Sequence, residues 1–170
     1  MKAEVVQSFV AAASDVLSQE MGGPVDPQRV RLQGGPYKTQ AITVLIGLTQ
    51  QLEGAVILGM SNETARAYCS HIMGEIVSEL DELAQSGIAE LANVIAGRAG
   101  ALLDAKGFVT SISPPTVLLG EDGVLSTLSV PRLMVAVRTQ YGVIDLQLAA
   151  REKRSVPGRR SAARRMAIRA

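Results

Sequence analysis

The sequence predicts an α+β fold, a largely antiparallel β-sheet packed against helices, one of them long. Three observations predict it. Apolar residues recur at three-to-four spacing near the start and again, over a longer stretch, mid-chain. Runs rich in β-branched residues follow one another closely, separated by short polar turns, and should pair as hairpins. Finally, 170 residues, 47% of them apolar, are enough to bury one core without staples.

Val5, Val6, Phe9, Val10, Ala13, Val16 and Leu17 have helical spacing, so residues 3–19 read as an amphipathic helix that Gly22-Gly23-Pro24 ends. Residues 41–48 and 54–60 should form a hairpin. Ser61 or Asn62 caps a short helix to about Met73. The long helix is predicted from a capping box at Ser78 and Asp81 to a stop at Gly107, with Lys106 in its last turn. Its buried stripe is Leu80, Ala84, Ile88, Leu91, Ile95, Ala99 and Leu102. Residues 108–113, 130–139 and 143–148 read as strands, giving the order α-β-β-α-α-β-β-β.

On the long helix, Ser86, Glu90, Asn93 and Gly97 fall on a second stripe nearly opposite the apolar one, so Glu90 and Asn93 should project together into solvent. Polar residues there are what any surface helix shows. Two details favour a docking face. Asparagine is a poor interior helix former because its amide competes for backbone groups. Gly97 and Gly100 each cost about 1 kcal/mol relative to alanine, and would let another backbone approach closely.

The arrangement Ser86-x3-Glu90-x2-Asn93, with Pro114 and Pro115 further on, resembles the signature of the CheC/CheX/FliY family of chemotaxis phosphatases. The CheX branch is most similar: Leu80-Asp81-Glu82-Leu83-Ala84 leads into the signature, and Ile112-Ser113-Pro114-Pro115-Thr116-Val117 with Gly120 follows it. Similar order and spacing extend over residues 3–148, although the twenty residues between Asn93 and Pro114 are slightly fewer than the family pattern has. The single Glu-x2-Asn site also favours the CheX branch, since CheC-like chains often carry two.

The resemblance implies a CheC/CheX-like fold and a phosphatase that removes the phosphoryl group from an aspartate of a CheY-like response regulator. The protein then needs no cofactor of its own, because Mg²⁺ and a lysine belong to the partner's site. A helper can add a group that holds water in line with phosphorus. A side-chain amide suits this, being able to accept and donate while uncharged. Asn93 takes that role, while the resemblance gives Glu90 an ion pair with the partner's active-site lysine. An exposed carboxylate is a weak general base, so anchoring fits Glu90 better. Ser86, Gly97, Pro114 and Pro115 are the candidate partner-binding positions. The resemblance also implies a homodimer built by edge-strand pairing, and an apolar strand such as Leu133–Val137 would be an aggregation risk if bare.

Composition narrows the classes further. One cysteine, Cys69, excludes an internal disulfide, and the lack of a leader-like or membrane-spanning run predicts a cytoplasmic protein. Cys69 and His71 point different ways on a helix and make no metal pair. Absence of tryptophan argues against base stacking on single-stranded nucleic acid. The domain is expected over residues 1–150, followed by a basic, flexible tail over 151–170. That tail holds eight of the 17 Lys and Arg and one of the 16 acids, a net of +7 against −6 for the body. It could add nucleic-acid or membrane-surface contact, or fold against the acidic body. Two alternatives remain at this level: a non-catalytic binding module at the flagellar motor switch or receptor array, and a phosphatase of a receiver outside chemotaxis.

Overall fold

The computed structural model describes residues 2–126 and 130–153. Helix α1 (Ala3–Glu20) buries Val5, Ser8, Phe9, Ala12, Ala13, Val16 and Leu17. Its end is closed by Gly23 N–H donating to the Ser18 carbonyl and Gly22 N–H to that of Gln19. This closure places Gly22 at φ +65°, a left-handed conformation that glycine adopts without a Cβ clash. Three short strands follow, β1 (Asp26–Pro27), β2 (Arg31–Gln33) and β3 (Tyr37–Lys38). The expected hairpin is β4 (Ile42–Gln50) and β5 (Leu52–Met60), in register from Ile42 opposite Met60 to Leu48 opposite Gly54. Helix α2 (Asn62–Met73) begins where Ser61 Oγ accepts the Thr64 N–H at 3.2 Å.

The long helix is α3 (Glu82–Asp104). It starts later than the Ser78 capping box predicts: Asp81 is the N-cap, its carboxylate accepting the Ala84 N–H at 2.9 Å. Ser78 stays in the connection, where its carbonyl accepts from Arg66 at 3.2 Å. At the far end, Phe108 N–H donates to Leu103 carbonyl and Gly107 N–H to Asp104, with Gly107 at φ +82°. Lys106 lies beyond the last turn, and its ammonium donates to Ser8 Oγ on α1 at 2.9 Å. Buried positions are Ala84, Ile88, Leu91, Ala92, Ile95, Ala96, Ala99 and Leu103. The buried stripe is therefore wider than expected, Leu102 is only half-buried, and Leu80 packs from the preceding connection.

After α3 come β6 (Thr110–Ile112), β7 (Thr116–Leu119), β8 (Val124–Leu125), β9 (Arg132–Thr139) and β10 (Gly142–Glu152). The main sheet runs β1-β9-β10-β5-β4-β6, with β2 also on β9 and β7 also on β4. Every strand pair among the described residues is antiparallel. One sheet face, including Val44, Ile46, Leu58, Val135, Ile144 and Leu146, forms a single core with α1, α2 and α3. The opposite face is crossed by an arm in which β3 pairs with β8. Tyr37 of that arm lies so close to β5 that a Cβ on Gly59 would stand 2.4 Å from its hydroxyl, so any side chain there would force the buried Tyr37 to shift. Arg132, buried, donates to Gln147 Oε1 at 2.9 Å and to the carbonyls of Gly35 and Pro36, tying the arm's approach to the sheet.

Leu133–Val137 is not a bare edge. β2 pairs Leu32 with Leu133, Gln28 N–H donates to Ala136 carbonyl, and β1 pairs Pro27 with Val137. The expected domain end at residue 150 falls inside β10, where Arg151 pairs with Glu53 and Glu152 with Leu52. The rest of the basic segment, residues 154–170, lies outside the described residues.

Candidate functional site

Helix α3 buries one side against the sheet and α1, which leaves its other side to carry the signature residues. Ser86, Glu90 and Gly97 are exposed there, as expected, whereas Asn93 is half-buried rather than fully in solvent. Glu90 and Asn93, three residues apart and so one above the other on the helix, are joined directly. The Asn93 Nδ2 donates to Glu90 Oε2 at 3.3 Å. This bond orients the amide, because the nitrogen is the end drawn to the carboxylate. Asn93 Oδ1 has no partner among the described residues and is available as an acceptor. Ser86 Oγ donates to the Glu82 carbonyl at 2.8 Å, one turn back, so its hydroxyl is held against the helix.

The glycines on this side have no structural reason inside the chain. A Cβ at Gly97 or Gly100 would meet nothing within 4 Å, so neither is there to admit a neighbouring element. Gly87 differs: a Cβ there would stand 3.2 Å from Ile72 Cδ1, which brings the end of α2 against the exposed side of α3. Leu83 and Val94 are 66% and 40% exposed, on the same stripe as Glu90. The sequence reading missed this pair, though their positions seven before and four after Glu90 are a visible periodic signal.

Pro114 and Pro115 lie in the step from β6 to β7 along β4. Ser113 ties that step down, its Oγ accepting the Gly47 N–H at 2.9 Å. No hydrogen bond among the described residues links either proline to Glu90 or Asn93. Cys69 is buried and its thiol, pushed up by burial, faces the Ala84 carbonyl, while the His71 ring lies 5.1 Å from that of Tyr141. Among the described residues no three His, Cys, Asp or Glu side chains converge to hold a metal ion.

Residues 42–138, a span that includes β4, α3 and most of β9, match the family described as chemotaxis phosphatase CheX. The chain belongs to the CheX family. On that membership it is a phosphatase, an enzyme of the hydrolase class. It is 33% identical over 129 residues to the CheY-P phosphatase CheX of Thermotoga maritima, an alignment covering 72% of this chain and 79% of that one. Among solved structures, CheX of Borrelia burgdorferi in complex with CheY, BeF3 and Mg²⁺ matches with a TM-score of 0.76 at 28% identity, over 86% of this chain and 97% of that chain. A CheC-like protein from a Shewanella species shares the fold alone, at a TM-score of 0.79 and 19% identity, over 89% and 99%. The α+β architecture, with its antiparallel sheet and long exposed helix, is thus that of CheC/CheX-like proteins.

Proposed function

We propose that this CheX-family chain accelerates hydrolysis of the aspartyl phosphate of a CheY-like response regulator, with Asn93 positioning the attacking water and Glu90 anchoring α3 over the phosphoryl site. One observation carries the assignment of roles: the Asn93 amide is oriented by Glu90 Oε2, and its oxygen is left free on an exposed helix. Kinship to a CheY-P phosphatase and to a CheX bound to CheY supports the substrate class.

The chemistry asked of this chain is small. An acyl phosphate is already open to attack by water, and Mg²⁺ in the receiver's own site supplies charge neutralisation there. Asn93 Oδ1 accepts a hydrogen bond from water and fixes its line of approach, which removes the entropy of finding that geometry. Glu90 holds the amide nitrogen with one carboxylate oxygen, Oε2. Its other oxygen is left to accept from the receiver's lysine, a charge-assisted contact stronger than a neutral one. The arrangement asks no metal and no nucleophile of the phosphatase. A homodimer and a cytoplasmic location complete the reading.

The test is the decay of a ³²P-labelled CheY receiver with Mg²⁺ present, comparing wild type with Glu90→Ala/Asn93→Ala. Faster decay with wild type alone is expected. Equal acceleration by the double variant would move the site off α3, and no acceleration by either would leave a different receiver as substrate or a non-catalytic binding role, between which a panel of receivers decides.

A further inference from the structure

We infer that the apolar side chains flanking Glu90 on the exposed side of α3, Leu83 and Val94 together with Ile72 from α2, form the anchor that seats the receiver domain. The inference rests on the phosphatase reading and adds the residues that determine affinity as distinct from rate.

Three observations converge. Leu83, Ile72 and Val94, at 66%, 41% and 40% exposed, are three of the ten large apolar side chains exposed among the described residues, so what distinguishes them is their grouping. Exposed apolar residues that are contiguous mark an interaction surface, whereas scattered ones need no explanation. Contiguity is given by the approach of Ile72 Cδ1 to Gly87, midway between Leu83 and Glu90 on the same helix. Beyond Val94 on this stripe, Gly97 presents backbone with nothing packed over it. The patch therefore lies along the same stripe as Glu90 and beside Asn93, so a receiver domain laid along α3 with its phosphoryl group at Asn93 covers Leu83 and Val94.

Charge adds direction. Glu82, adjacent to Leu83, and Glu90, one turn before Val94, are exposed on the same helix, and neither forms an ion pair among the described residues. An apolar centre with a charged rim is the anatomy of a transient protein interface. The occupant that fits is a receiver domain with an apolar patch bordered by basic groups beside its phospho-aspartate. Burying leucine- and valine-sized side chains supplies the affinity, the carboxylates guide approach, and Asn93 acts only after docking.

The experiment uses the full chain and a CheY receiver charged with beryllofluoride for affinity or with phosphate for turnover. Leu83→Ser/Val94→Ser removes only exposed side chains, so the fold persists, as circular dichroism will show. This variant should weaken binding to the charged receiver and raise KM about tenfold or more, with kcat within about twofold of wild type. Leu83→Met should restore most of the affinity, and Val124→Ser, on the arm across the sheet, should change nothing. An unchanged Kd in the double variant, or a fall in kcat at constant KM, overturns the inference. So does a change confined to the oligomeric state, which would assign the patch to a second copy. If wild type binds the receiver without dephosphorylating it, the catalytic reading fails while the Kd comparison still decides the anchor; if it does neither, both fail.

Discussion

Asn93 is half-buried on α3 and makes one side-chain hydrogen bond, the one it donates to Glu90. Asn93→Ala therefore removes an acceptor from the exposed side of the helix and takes nothing from the core. The acceleration of phospho-receiver decay should fall on the order of 10²-fold or more while the melting curve stays in place. Glu90→Lys does something else: it sets a cation against the receiver's lysine, and pull-down of the charged receiver should be lost with the fold intact. Leu91, one residue along but 2% exposed, sits in the core. Leu91→Asp would bury an unpaired charge, and circular dichroism should show an unfolded chain. A fourth residue gives a pH test. Burial raises the Asp145 carboxyl above its ordinary range, opposed by the hydrogen bond from Gln40. The native state then holds that proton more tightly than the unfolded chain does, so stability falls as pH rises through the raised value. Asp145→Asn should melt higher than wild type at about pH 7 and match it near pH ~4; equal melting at both would contradict the cost assigned to burial.

At the scale of elements, α3 is shaped by two demands that pull apart. Its start is fixed by Asp81, and losing that cap in Asp81→Ala should cost about 1 kcal/mol in urea unfolding. Its exposed side carries Gly97, which helix stability alone would not choose. A Cβ at Gly97 meets nothing within 4 Å, so Gly97→Ala should raise the melting temperature by about 2–4 °C, the shift expected from about 1 kcal/mol. Much of this was legible in the sequence. Helices α1, α2 and α3 and the strands β4, β5, β9 and β10 are long enough for periodicity to speak, and the Glu90–Asn93 pair follows from that period. The two-to-four-residue strands β1, β2, β3, β7 and β8 were not legible, because they form by backbone pairing with distant partners and carry no pattern of their own. The start of α3 was misread because Ser78 and Asp81 are both capping residues. Tertiary bonds decide between them: Val77 N–H donates to Ser70 Oγ and Arg66 to the Ser78 carbonyl, holding that stretch to α2. The Glu90–Asn93 hydrogen bond and the approach of Ile72 to Gly87 depend on rotamers and on α2 packing, which periodicity does not encode.

Across the whole molecule, the sheet separates two tasks. Its inner face binds α1 and α3 into one core, so the element that carries Glu90 and Asn93 is a helix packed along its whole length. Its outer face is bridged by the Tyr37–Leu125 arm and the buried Arg132. Since β1 and β2 cover β9, a homodimer formed by strand addition would use those short strands or the β6–β7 edge, with Leu133–Val137 already paired. Sedimentation at micromolar concentration should report two chains, and a monomer would remove the dimer from the account. The central claim is that docking and water positioning are separate jobs on one helix. The measurement that tests it most directly is the Kd of Asn93→Ala for a beryllofluoride-charged receiver, set beside its single-turnover rate on the phosphorylated one. An unchanged Kd with a rate reduced about a hundredfold is the predicted result; a rate like that of wild type, or a loss explained wholly by weaker binding, would contradict it.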